Sequence, residues 1–129
     1  MENYLSVIVI VIMAFILYRK FTTATDKNVK NVNAQEAHEL LEKNKNVIVI
    51  DVRSKQEYNS GHIPGSKSIP VGEISSRISE IAKYKDSPIL IHCASGSRSA
   101  SAVRVLSKNN FSDIYHMNRG LVGWKYKLK

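Results

Sequence analysis

The chain of 129 residues holds one cysteine, three prolines and one tryptophan, and its acidic residues are few: eleven, against nineteen lysines and arginines. One cysteine cannot close an internal disulfide, so packing alone must hold the fold, and cysteine usage gives no sign of an oxidising compartment. The shortage of acid leaves a net charge of +8. The basic side chains are scattered, with clusters at the two ends (Arg19, Lys20, Lys27, Lys30; Lys125, Lys127, Lys129), and no RNA-binding or helix-turn-helix pattern accompanies them. That distribution argues against nucleic acid and for an anionic membrane surface or plain solubility. A metal centre is disfavoured as well, because four histidines with one cysteine make a poor zinc set, and His62, His92 and Cys93 lack ligand spacing. No internal repeat or low-complexity segment is present.

Charge is missing altogether from Asn3 to Tyr18, where Leu5 to Leu17 (LSVIVIVIMAFIL) contains one polar side chain, Ser6. At helical rise this stretch spans about 24 Å, a little short of a ~30 Å hydrocarbon core. Tyr4, Tyr18 and Phe21 suit the interfaces, and Arg19 and Lys20 can snorkel. A cleavable signal peptide wants positive charge before the apolar run and a small-residue site after it. Here Glu2 precedes and the basic residues follow. The expectation is one short transmembrane helix over residues 1–20, an anchor in membrane lipid. By the positive-inside rule its N-terminus lies outside and the rest in the cytoplasm, as a single-pass cell-membrane protein in which a lone thiol stays reduced. Residues 21–28 read as a polar tether. Residues 29–129 suffice for one compact domain and not for two.

Within that domain, Asn33 with Glu36 three residues on forms a capping box, and Ala37, Leu40 and Leu41 give the stripe of a helix over 33–43. NVIVIDV (46–52) is a continuous β-branched run, the pattern of a strand buried on both faces of a parallel sheet. GHIPGSKSIP (61–70) is turn chemistry around a short strand at Lys67 to Ile69. Ile74, Ile78 and Ile81 recur at helical spacing. ILIHC (89–93) is a second apolar strand, Val103 and Leu106 mark a third helix, and DIYHM (113–117) reads as a third strand. Alternating strands and helices predict a three-layer α/β domain with a mainly parallel sheet.

That architecture puts Cys93 at the carboxyl end of a central strand, before a loop that opens a helix, which is where open α/β sheets bind ligands. Ala94, Ser95, Gly96 and Ser97 are small enough for the main chain to curl so that successive N–H groups converge on the sulfur, helped by the positive helix N-terminus. Arg98 is expected to lower the thiol pKa further and to hold an anionic substrate in bidentate fashion. The pattern predicts an ionised, reachable thiolate. Asp51 and Arg53 follow a strand end, and a pair between Arg53 and Glu57 is expected to fix the neighbouring loop. His62 reads as a turn residue bonded to backbone, and His92 as pointing to the opposite face from the nucleophile. Trp124 is assigned to packing, and His38 and His116 to ordinary surface or edge positions.

DVRSKQEYNSGHIPGSKSIP, then IHCASGSRSASA, then NRGLVGW together resemble the single-domain rhodanese (thiosulfate sulfurtransferase-like) family over residues 29–129. The resemblance implies a five-stranded parallel sheet between helices and a Cys93 persulfide chemistry that needs no cofactor. Four residues lie between Cys93 and Arg98, whereas the related dual-specificity phosphatases have five, so the loop suits a sulfur-sized group better than phosphate. The implied reaction passes sulfur from thiosulfate or a persulfide through Cys93 to a thiol, a protein sulfur acceptor or cyanide. No second cysteine exists to resolve the persulfide internally. A membrane-tethered persulfide carrier or interaction module with little turnover on small donors is the alternative. CASGSR departs from the loops associated with thiosulfate and with 3-mercaptopyruvate, so neither preference transfers.

Overall fold

The computed structural model describes residues 2–22 and 27–129, with the side chains of Glu2, Lys20, Phe21 and Thr22 outside the description. Of the expected tether, residues 21–28, the middle stretch 23–26 lies outside the described residues. Helix α1 (Glu2–Thr22) is followed by β1 (Val29–Val32), α2 (Ala34–Lys43), β2 (Ile48–Asp51), α3 (Lys55–Ser60), β3 (Lys67–Ser68), α4 (Ile78–Ile81), β4 (Ile89–His92), α5 (Ser97–Lys108) and β5 (Ile114–Met117). Single 3₁₀ turns cover Val71–Glu73, Ala82–Tyr84 and Leu121–Gly123.

The five strands form one sheet in the order β1-β5-β4-β2-β3, every pair parallel. β4 sits in the middle because Ile89, Leu90 and Ile91 are apolar on both faces, and all three are fully buried. Alternation along the strands divides the core in two. Ile50, Val52, Ile89, Ile91, Cys93 and Ile114 pack with Ile74 and Ile81 and with Ala102, Val103 and Leu106 of α5. Val49, Leu90 and Met117 pack the other way, with Ala37 of α2, Ile63, Leu121 and Trp124.

Helix α2 begins as its sequence requires: Asn33 Oδ1 accepts the Glu36 N–H at 2.8 Å and Glu36 Oε1 accepts the Asn33 N–H at 3.1 Å. Ser54 and Glu57 close the same box at α3. The helix expected around Ile74, Ile78 and Ile81 is broken into two 3₁₀ turns and the one-turn α4. Pro70 and Gly72 precede it, and the Ser76 hydroxyl donates to the Glu73 carbonyl at 3.0 Å, a local bond that competes with helix propagation. Ile74 and Ile81 are buried all the same. Strand β1 has no apolar pattern of its own, being an edge strand (VKNV) with only Val32 buried.

A transmembrane span over residues 1–20 is not found: among the described residues no helix is long and apolar enough to cross a membrane. The apolar run in α1 extends only from Leu5 to Leu17, about 20 Å at helical rise, before Tyr18 and Arg19 interrupt it. Its side chains are nonetheless exposed all round the helix, from 47% for Ile16 to 71% for Leu5.

Candidate active site around Cys93

Cys93 is the residue immediately beyond β4, on the sheet face covered by α5. The chain then turns through Ala94, Ser95 and Gly96 into α5. Gly96 has φ of 108°, a left-handed conformation that glycine alone adopts readily. In that conformation its N–H is aimed at Cys93 Sγ, 3.0 Å away. A Cβ there would overlap the Asn118 carbonyl. Ser99, in the first turn of α5, brings its Oγ to 3.4 Å from the sulfur. Burial pushes the Cys93 thiol up, but the Ser99 hydroxyl and the main-chain N–H groups of Ser99, Gly96 and Ser95 together outweigh it, and the thiol lies below its ordinary value. The site thus stabilises a thiolate by converging hydrogen bonds. Ser97 opens the helix, and the Ala94 carbonyl accepts the Val122 N–H at 3.1 Å.

The loop is held from the other side by the segment after β5. The Leu121 N–H donates to the Cys93 carbonyl at 2.9 Å, and Gly120, with φ of 72°, lies so close that a Cβ would overlap the Ala94 carbonyl. This contact is what the NRGLVGW motif supplies.

Three expectations are corrected here. Arg98 is engaged rather than open to an anion: its guanidinium grips Glu57, Nη1 to Oε1 at 2.7 Å and Nη2 to Oε2 at 3.1 Å, while it stays near enough to Cys93 to interact with its charge. The bond to Arg98, reinforced by Ser54, lowers the Glu57 carboxyl from 4.5 to about 2. Arg53 consequently does not pair with Glu57. It turns to Asp51, with Nη2 to Oδ2 at 2.7 Å and Nε to Oδ1 at 3.0 Å, and its Nη2 also donates to the Gly61 carbonyl at 2.7 Å. Asp51 is fully buried and Arg53 nearly so, so this pair braces the loop after β2. Thirdly, Cys93 has no solvent exposure. The clamped loop and the aliphatic side chains of the larger core cluster close over it.

The histidines divide. His62 donates from Nδ1 to the Tyr58 carbonyl at 2.9 Å and stacks on the Tyr58 ring. His92 is buried on the far face, its Nε2 3.8 Å from Asp51 Oδ2; burial holds the imidazole below its ordinary range. His38 stacks on Tyr126 at 3.7 Å and meets the edge of Trp124, so it belongs to the packing of the C-terminal segment. His116, expected at the surface or an edge, is 7% exposed, and its Nε2 lies 2.7 Å from Ser99 Oγ. Sequence reasoning missed it and Ser99 as well, and it gave Glu57 the wrong arginine. The first turn of α5 places Ser99 in register with the sulfur, a signal that helical spacing from Cys93 carries. Among the described residues no cluster of His, Cys, Asp and Glu is arranged to hold a metal ion.

The model of the rhodanese-like domain matches residues 33–127. The chain belongs to the rhodanese-like family. A rhodanese-like domain protein from Staphylococcus aureus has a crystal structure that superposes with a TM-score of 0.70 at 31% identity, covering 78% of this chain and 96% of that one. The thiosulfate sulfurtransferase GlpE of Pseudoalteromonas translucida is 34% identical over 96 residues, 74% of this chain and 89% of its own. YibN of Escherichia coli K12 is 30% identical over 121 residues, 93% of this chain and 83% of its own. The putative sulfur carrier protein YrkF of Bacillus subtilis is 29% identical over 79% of this chain and 54% of its own. The α/β fold with a five-stranded parallel sheet is therefore that of a rhodanese-like domain, with Cys93 at the tip of its central strand.

Proposed function

We propose that this rhodanese-like domain is a sulfurtransferase working through a persulfide on Cys93. The observation that carries the reading is the convergence of the Gly96 N–H and the Ser99 hydroxyl on the sole cysteine, in a loop with four residues before Arg98. Sulfurtransferase relatives support a general role in sulfur transfer. The Cys93 thiolate attacks the outer sulfur of thiosulfate or of a persulfide. The S–S bond of the donor breaks, and sulfite or a thiolate leaves with the electron pair. An acceptor thiolate or cyanide then attacks the outer sulfur of the Cys93 persulfide, and Cys93 departs as thiolate. The loop N–H groups that favour the thiolate also suit the persulfide anion, and no cofactor is called for. Ala94, Ser95, Gly96 and Ser97 build the pocket. Arg98 orients an anionic donor once Glu57 is displaced, and Asp51 with Arg53 holds the adjoining loop.

The full chain incubated with thiosulfate should gain one sulfur atom by intact mass, lose it to cyanide as thiocyanate, and do neither as Cys93→Ser. Phosphatase turnover without any sulfur adduct would overturn the reading. A second reading, a persulfide carrier, is favoured by the similarity to YrkF and by Glu57 occupying Arg98. It is distinguished by an adduct that forms from a protein persulfide while thiosulfate turnover stays at background.

We further propose that α1 lies in membrane lipid and holds the domain at the cytoplasmic face of the cell membrane. Its exposed apolar surface and the basic residues that follow support this. The full chain should then resist carbonate extraction from membranes and a chain lacking residues 2–20 should not; equal extraction of both would end the proposal.

A further inference from the structure

The Ser99 hydroxyl has three polar neighbours and one proton. Cys93 Sγ lies at 3.4 Å, His116 Nε2 at 2.7 Å and the Gly96 carbonyl at 3.1 Å. The carbonyl can only accept, and it already takes the Ala100 N–H at 3.1 Å. The sulfur and the imidazole can each act as donor or acceptor, so what one does through the hydroxyl dictates the other. While the sulfur carries its proton, S–H donates to Ser99 Oγ and Ser99 O–H donates to Nε2. Once the sulfur is a thiolate, Ser99 O–H must turn to it, and Nε2–H then donates to Oγ. Cys93 and Ser99 have no exposure, so the thiol proton has no direct way into water. His116 lines a groove of about 370 Å³ between α5 and β1, which gives it one.

We propose that His116 is a positioning residue for Cys93: it provides, through Ser99, the path by which the thiol proton leaves the closed site, and it then holds the hydroxyl toward the thiolate. The step balances. The proton on sulfur passes to Ser99 Oγ, the original hydroxyl proton passes to Nε2, and Nδ1 releases its proton to water in the groove. The thiol has become a thiolate and the imidazole, neutral before and after, has exchanged tautomers. Groups facing His116 are Arg104 and Lys108 from α5, Asn31 from β1 and, in register on β4, Ile91. Burial pushes His116 below its ordinary value and disfavours an imidazolium, which is why the proton goes on to water. The inference rests on the reading of Cys93 as a nucleophile.

Two measurements on the full chain test it. Nitrogen-15 shifts of His116 across the Cys93 titration should show the protonated nitrogen changing from Nδ1 to Nε2. The pH midpoint of Cys93 ionisation, read from the ultraviolet absorbance of the thiolate in the closed site, should rise by about one unit in His116→Leu, about tenfold less thiolate below the midpoint, and return toward the parent value in His116→Gln, whose amide offers both donor and acceptor. An unchanged tautomer overturns the proposal, as does a folded His116→Leu chain that titrates like the parent. The shift measurement uses the unaltered protein and does not depend on the variants folding. Cys93 that titrates as described but never takes up sulfur would defeat the proposed function and leave this path standing.

Discussion

Glu57 holds Arg98 with the two-oxygen grip that an oxyanion donor would use. Under the proposed function, thiosulfate would have to displace a carboxylate before Arg98 could orient it. Glu57→Gln removes that competitor while keeping an N3 residue able to cap α3. In steady-state assays with thiosulfate and cyanide the substitution should lower KM about two- to fivefold, the worth of ~0.5–1 kcal/mol for a partly exposed pair, with kcat little changed. The same pair has an acid signature. Its carboxyl titrates at about 2 when folded against an ordinary 4.5. The stabilisation is complete above the higher value and is lost as pH falls toward the lower one. Urea midpoints of the parent and Glu57→Gln should differ by a constant amount above about pH 5 and converge toward pH 2. Asp51 is a different case, since it neutralises an Arg53 that is only 7% exposed. Asp51→Asn leaves that guanidinium buried without its counter-ion and should cost about 3–5 kcal/mol in urea unfolding.

Among the elements, the segment after β5 acts on the Cys93 loop most directly, because Gly120 and Leu121 press against the backbone of residues 93–95. Gly120→Ala should destabilise by about 2 kcal/mol or more, adding overlap with the Ala94 carbonyl to left-handed strain. Gly65→Ala, at φ of 81° with open space around it, should cost only the strain, about 1–2 kcal/mol. Comparing the two by urea unfolding isolates the clamp. Elements buried on both faces were the ones readable from pattern: β2 and β4 are built on continuous apolar runs, and the capping box announced α2. β1 escaped because an edge strand needs few apolar residues, and the fractured stretch from Val71 to Tyr84 escaped because its buried isoleucines keep helical spacing without a continuous helix. At the site, Cys93 and the Gly96 turn were legible from local spacing alone. The bond between Glu57 and Arg98 joins residues 41 apart and that between Ser99 and His116 residues 17 apart. Only the crossing of elements through the sheet creates such pairs, so no window on the sequence displays them.

For the whole molecule, both core clusters draw on residues from Val29 onward. The domain should accordingly be independent of α1: a chain beginning at Lys27 should melt within about 2 °C of the full chain by circular dichroism, a difference worth well under 1 kcal/mol for a domain of this size. A larger drop would mean that α1 packs on the domain in solution.

The enclosure of Cys93 has one more consequence. A sulfur without exposed surface is as inaccessible to dissolved peroxide as to a donor, so the resting protein is shielded from the sulfenic and sulfinic damage to which ionised thiols are prone. Under the proposed function, whatever movement admits a sulfur donor would admit an oxidant as well, so the chemistry and its hazard would share one entrance.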